Sequence, residues 1–408
     1  MRGTNPVERL LPIVLRSASL GVVLILALAV LSTAGVAGTT RKAGCRTMPP
    51  HLSCSDLAGA ISDVIVAPQN PRLVAIGFHG WHLSTSRDGG HSWTGHHLPA
   101  ALHGVPEAQT GIEFTGDGTL VAPAAGGVAT SSDLGATWSS VDLSGSGIAA
   151  VSQIVPDPVN HGGLWACAAP NGPGNPNRFD TSVAYSGDDG ATWKLVGTVH
   201  SGDWSCEGLA VQPGGSVLLA EVESPTSADP SLFRSTDAGV SWHQAGGFHP
   251  DGVHAHGSDG AVESLAFDPD RPSVALATGY KNQASGRTMI FRTTNAGETW
   301  RTVKAIGPNH RANAVAISTD GIALVETETG FLVSRNHGAA WQTARAPKGN
   351  WLFIAFGDAA STLRADGRSF LFYSTQLEDG ATQVPGPFWR LNGRHTAFKW
   401  AGGWRAAG

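Results

Sequence analysis

The sequence predicts an all-β fold, a single β-propeller of seven four-stranded blades with the last degenerate, after an N-terminal hydrophobic helix. Three observations predict it. An eight-residue turn motif occurs six times, at separations of about 40–60 residues, the period of a propeller or solenoid. Seven short apolar segments, each ending at a turn signal, run in register with those turns. The 408 residues include 53 Gly, 24 Pro and 13 Trp and are only 14% charged. Helix-period stretches are scarce beyond the N-terminus, as expected for many short strands joined by turns.

The turn motif reads Ser, any, Asp, any, Gly, any, Ser or Thr, Trp. Its clean copies are Ser86-Arg87-Asp88-Gly89-Gly90-His91-Ser92-Trp93 and the segments Ser131 to Trp138, Ser186 to Trp193 and Ser235 to Trp242. Two relaxed copies follow: Thr293 to Trp300, with Asn295 in the Asp position, and Ser334 to Trp341, with Asn336 and Ala340. An Asp or Asn two residues after a Ser or Thr bonds nearby backbone N–H groups and sets a turn. The Gly supplies a backbone angle that other residues resist. The Trp opens the next strand and offers a large apolar face to bury between repeats. Each copy follows an apolar stretch such as Leu232-Phe233 or Met289-Ile290-Phe291, so each is a strand–turn–strand hairpin. A calcium loop is not expected, because the later bidentate Glu is missing.

This pattern resembles the Asp-box, or BNR, repeat of sialidases, related glycoside hydrolases, sortilin-type receptor propellers and photosystem assembly factors. The resemblance covers roughly residues 60 to 400 and implies a propeller whose boxes are structural, on the side away from any active site. Asp88, Asp133, Asp188, Asp237, Asn295 and Asn336 are therefore expected to be framework.

The inner strands are marked by Val64 to Pro68, Ile112 to Gly116, Ile154 to Pro158, Leu209 to Pro213, Leu265 to Pro269 and Val315 to Thr319. A seventh, Ile354 to Asp358, has no complete box after it; Leu371 to Gln376 reads as a decayed one, with Trp389 after an insertion. Four-stranded blades around a channel absorb such repeats. With strands A to D alternating in direction, the A–B and C–D turns share the box-bearing face. The B–C and D-to-A connections share the other. The long connections, Pro170 to Ser182, Glu223 to Ser231, Gly246 to Ala261 and Gly279 to Arg287, fall on that second face, where binding and catalysis usually sit.

Residues 1–37 read as a signal peptide or signal anchor: Arg2, Arg9 and Arg16 precede an uncharged run from Ser17 to Gly38, with small residues near Ala37. If retained, the run can span a bilayer, and in either case the propeller is exported. Residues 38–58 form a linker, 59–402 the propeller and 403–408 a tail. In an exported chain four cysteines favour disulfides, Cys45 with Cys54 and Cys167 with Cys206. The net charge is −5, and loss of residues 1–37 makes it more negative. Nucleic acid is therefore excluded as a partner, and membrane contact is expected only through an uncleaved N-terminal segment. A monomer is expected.

Two positions before the apolar run of each inner strand stand Ser62, Thr110, Ser152, Glu207, Glu263, Asn313 and Leu352. By strand alternation these side chains face the channel. Glu207 and Glu263, with Asp203 four residues before Glu207, lie beneath the long loops of consecutive blades. Paired carboxylates serve as acid and base, or acid and nucleophile, in glycoside hydrolysis; the plainer role is bonding backbone at the strand ends. Arg178, Arg287 and Arg311 fall in the same loops, with Tyr280, Asn313 and Trp204 as further ligand contacts. His254-x-His256, near His249, Asp251 and Asp259, has metal-ligand chemistry at a generic spacing. No metal or cofactor is expected.

Against the sialidase pattern the chain lacks the family's Arg-Ile-Pro motif and has only three tyrosines. Larger Asp-box endoglucanases set a catalytic Asp on each of two facing propellers, and this chain has one. The sequence thus points to a binding or scaffold module for carbohydrate or protein. Its alternative is a glycoside hydrolase using Glu207, Glu263 and Asp203.

Overall fold

The computed structural model describes residues 61–78, 82–90, 92–102, 111–170, 181–201, 205–223, 231–246, 262–280, 287–308, 312–327 and 330–344, and beyond these the backbone of strands between 351 and 402. The proposed targeting segment, the linker and Cys45–Cys54 lie outside the described residues. No helix among the described residues is long and apolar enough to cross a membrane.

The fold is a single all-β propeller with six four-stranded blades, each an antiparallel meander. Blade 1 holds β1 (Ile61–Val66), β2 (Val74–Phe78), β3 (His82–Ser86) and β4 (Thr94–His97). Blade 2 holds β5 (Glu113–Phe114), β6 (Leu120–Ala124), β7 (Gly127–Ser131) and β8 (Ser139–Asp142). Blade 3 holds β9 (Ile148–Pro156), β10 (Leu164–Pro170), β11 (Thr181–Ser186) and β12 (Lys194–His200). Blade 4 holds β13 (Ser205–Val211), β14 (Leu218–Glu223), β15 (Ser231–Ser235) and β16 (His243–Gln244). Blade 5 holds β17 (Val262–Phe267), β18 (Ala275–Tyr280), β19 (Arg287–Thr293) and β20 (Arg301–Pro308). Blade 6 holds β21 (Ala312–Ile317), β22 (Ala323–Thr327), β23 (Gly330–Ser334) and β24 (Gln342–Ala344).

A further sheet has five strands: β25 (Trp351–Leu352), β26 (Leu363–Asp366), β27 (Ser369–Glu378), β28 (Thr382–Asn392) and β29 (Phe398–Gly402). Its strand β26 lies against both β1 and β21. The expected inner strand Ile354 to Asp358 lies outside the described residues. The segment read as a decayed box, Leu371 to Gln376, runs inside β27 as continuous strand, not turn.

The core sits between blades. Ile65, Ala75 and Leu83 of blade 1 pack with Phe114, Leu120 and Leu134 of blade 2. Leu219 and Leu232 of blade 4 pack with Phe267, Phe291 and Trp300 of blade 5. Each fully buried Leu or Phe is worth about 1.5–3 kcal/mol, so apolar contact is what binds one sheet to the next.

The boxes form a repeated polar staple. In blade 2 the Ser131 hydroxyl donates to Asp133 Oδ1 (2.9 Å) and accepts from the Gly135 N–H (2.7 Å). Asp133 also accepts from the Thr137 N–H (2.8 Å) and hydroxyl (2.6 Å), and the Trp138 indole donates to the Gly135 carbonyl (3.2 Å). Asn295 keeps this pattern with one bond reversed: its Nδ2 donates to the Thr299 hydroxyl at 2.9 Å. Two successive residues take positive φ, Leu134 at 63° and Gly135 at 85°. The box turn docks on the A–B turn of its own blade, as in Gly89 N–H to Arg72 O (2.8 Å) and Ala296 N–H to Ser273 O (2.7 Å). Boxes and A–B turns therefore share a face, as strand direction predicted.

Candidate functional site

The opposite face is where each strand B ends and each strand C begins, and there the inner strands of blades 1, 4, 5 and 6 begin with an irregularity. In β1, β13, β17 and β21 one residue is inserted against strand B, between Ile61 and Asp63, Cys206 and Gly208, Val262 and Ser264, and Ala312 and Ala314. The inserted residues are Ser62, Glu207, Glu263 and Asn313, four of the positions singled out from the sequence. Such bulges re-aim a side chain and bend the strand. They also interrupt the alternation by which these residues were expected to face the channel. The side chains of Glu207, Glu263 and Asn313 lie outside the described residues.

Tyr280 ends β18, opposite Thr288, and Arg287 opens β19; their side chains are likewise not described. Arg178, Asp203, Trp204, His254, His256 and Arg311 lie outside the described residues altogether. Among the described residues, no group of His, Cys, Asp and Glu is placed to hold a metal ion.

One strand-B position lies beside these bulges, and in blades 3 and 4 it closes the seam to the next blade. It lies three residues after the one opposite the box Ser or Thr, and its occupants in blades 3 to 6 are Cys167, Glu221, Thr278 and Glu326. From blade 3 to blade 4 the seam is covalent: Cys167 is joined to Cys206, with Cα atoms 6.0 Å apart. From blade 4 to blade 5 the Glu221 carboxylate accepts from the Val262 N–H at 2.9 Å. Cys206 and Val262 are equivalent, each just before an inserted glutamate. From blade 5 to blade 6 the Ser264 hydroxyl accepts from the Val315 N–H (3.2 Å), while Thr278 is fully buried and its hydroxyl has no hydrogen-bond partner among the described residues.

Sequence reasoning found the disulfide but missed Glu221, which pairs with Gly208, next in sequence to Glu207, and bonds the backbone of Val262, next in sequence to Glu263. It is 3% exposed, and Glu113 and Glu326 are as deeply buried. A charged residue inside an apolar strand, Leu218-Leu219-Ala220-Glu221-Val222, was the available signal, because such residues stay buried only when bonded.

Blade 3 is irregular in its own way. Val155 pairs with Trp165 but Ser152 with Cys167, so Gln153 and Ile154 together oppose Ala166. Gln153 has φ 46°, a conformation costing a residue with a Cβ about 1–2 kcal/mol. Tyr185, by contrast, belongs to the framework on the box-bearing face. Its hydroxyl donates to Asp157 Oδ2 and accepts from Asn160 Nδ2, both at 3.0 Å, and burial pushes its pKa up.

No protein-family profile matches the chain, and no curated protein matches its sequence. Solved structures do match its fold. The GH74 xyloglucanase of Xanthomonas campestris aligns with a TM-score of 0.55 at 15% identity, over 86% of this chain and 68% of the enzyme. A virginiamycin B lyase from Staphylococcus aureus gives 0.52 at 15% identity, over 79% of this chain and 94% of the lyase. Ycf48 from Cyanidioschyzon merolae gives 0.50 at 11% identity, over 83% of this chain and 97% of that protein. What they share with it is the propeller. At such identities the likeness is one of fold alone, and these neighbours include both enzymes and Ycf48.

Proposed function

We propose that this chain is an extracytoplasmic binding module that holds a carbohydrate ligand on the loop-bearing face of blades 3 to 5. The observation that carries the reading is the reinforced seam. Beneath the elaborated loops, blades 3, 4 and 5 are tied in series by Cys167–Cys206 and by Glu221 to the Val262 N–H. A rigid base under long loops favours binding, because less order must be gained when the ligand arrives. The disulfide also fits an oxidising compartment. In this reading the five-stranded sheet is the degenerate seventh blade, with β26 as its inner strand between β21 and β1. Residues 1–37 direct export.

Glu207, Glu263, Asp203, Asn313, Arg178, Arg287, Arg311, Tyr280 and Trp204 are the proposed ligand contacts. Glycoside hydrolysis by Glu207, Glu263 and Asp203 is the second reading, in keeping with the xyloglucanase likeness. Glu221 weighs against it, since the described carboxylate of this cluster is spent on backbone rather than held over an open cleft. A glycan array and a hydrolysis screen on residues 38–408 decide between them. Retention of glycans without cleavage is expected. Cleavage that disappears in Glu263→Gln assigns a hydrolase, and silence in both assays, with capture of a protein ligand instead, overturns the carbohydrate reading.

A further inference from the structure

We propose that Gln153 is a ligand-binding residue of this face, its carboxamide engaging a pair of neighbouring hydroxyls on a neutral sugar. The inference rests on the carbohydrate reading and adds a contact that sequence reasoning passed over in favour of Ser152.

Three observations carry it. Among the described residues, Gln153 is the one non-glycine with positive φ outside the boxes. The residues that precede the apolar run in blades 1, 4, 5 and 6 are Asp63, Gly208, Ser264 and Ala314, and none of them has positive φ. Outside the boxes, the other described positions with positive φ are glycines, namely Gly118, Gly126, Gly147, Gly215 and Gly321, so a glutamine here is held against its backbone preference. Strain of this kind persists where surrounding structure over-determines it, commonly at ligand sites.

Its surroundings do over-determine it. Ser152, the residue before, pairs with Cys167, and Cys167 is bonded to Cys206, the residue before Glu207. The bulge of blade 3 and the bulge of blade 4 are thus held by one covalent link.

The side chain, finally, is uncommitted: Gln153 is only half-buried, and none of the hydrogen bonds among the described residues uses its carboxamide. A carboxamide offers a donor and an acceptor side by side with no charge, which matches adjacent sugar hydroxyls. Having no charge, the carboxamide gains nothing from an anionic or cationic ligand, which leaves a neutral sugar as the fit.

The test pairs stability with affinity. Gln153→Gly relaxes the backbone and deletes the carboxamide, while Gln153→Glu keeps the size and loses the donor. Wild type and both variants, as residues 38–408, are titrated calorimetrically with cello-oligosaccharides and xyloglucan oligosaccharides, and their melting is followed. Gln153→Gly is expected to melt about 1–2 °C higher and to bind at least tenfold more weakly, with Gln153→Glu weakened as well. Higher melting with unchanged affinity leaves the carbohydrate reading standing and reduces Gln153 to strained framework. Lower melting removes the strain argument. Wild type that binds none of these neutral oligosaccharides overturns the sugar assignment itself.

Discussion

At the scale of single residues, the box acid and the seam threonine illustrate opposite uses of a polar group. Asp133 and Asp237 accept bonds from the hydroxyl and N–H of Thr137 and Ser241, and those bonds hold each carboxyl at about 2, below its ordinary 3.8. A depressed folded-state pKa stabilises the fold above the unfolded value and is lost as pH falls. The contribution is therefore complete above about pH 5 and disappears as pH drops through 3.8 to about 2. Asn fills the same place in two natural boxes, as Asn295 does through Thr293 and Thr299. An Asp133→Asn, Asp237→Asn double variant should hence fold normally and show a flatter loss of stability across that interval, followed by urea unfolding at stepped pH. An unchanged acid limb would mean that these carboxylates are as protonated in the native state as in the unfolded chain. Thr278 is the reverse case: its hydroxyl is fully buried and bonds nothing among the described residues. Thr278→Val keeps the shape and removes the desolvated group, so urea unfolding should report a gain of about 1 kcal/mol. A loss of that size would reveal a partner for the hydroxyl.

At the scale of strands, the seams after blades 3 and 4 read as one position solved with different chemistry, a disulfide and a carboxylate. The turns were legible in the sequence because each box is local: its bonds join residues two to four apart, as Ser131, Asp133 and Thr137 show. The bulges and the seams were not. Knowing that Glu207 is inserted requires the cross-strand count that pairs Cys206 with Val222 and Gly208 with Glu221. Knowing that Glu221 reaches Val262 requires the neighbouring blade. Alternation carried the nomination of Glu207, Glu263 and Asn313 to the right strand ends, and no further, since an inserted residue breaks the period of two. If the seams are equivalent, the covalent solution is transferable. Thr278 and Ala312 occupy between blades 5 and 6 the places that Cys167 and Cys206 occupy between blades 3 and 4. A Thr278→Cys, Ala312→Cys variant should form a second such bridge on air oxidation, seen as two fewer protons by intact mass and as a raised melting temperature. Persistent free thiols would break the equivalence.

At the scale of the whole molecule, the ring must hold its ends together, since a propeller opened between its first and last blades exposes two apolar sheet faces to water. Blade 1 begins with β1, and the nearest described strand on its open side is β26, which also touches β21. The chain therefore returns near its C-terminal end to the point where the ring began, so residues far apart in sequence supply a single contact. Among the described residues, the core between blades 1 and 2 and that between blades 5 and 6 are each built from two four-stranded sheets. Deleting residues 345–408 should consequently leave six blades that retain strand content but lose the closing neighbour of both β1 and β21. Such a truncation is expected to melt at least 10 °C lower than residues 38–408, an estimate on the order of several kcal/mol for a lost interface. It should also self-associate, because unpaired apolar faces recruit other copies. Circular dichroism with sedimentation measures both effects. A monomeric truncation melting at the parent temperature would show that blades 1 and 6 close the ring on their own and that the five-stranded sheet is an appendage.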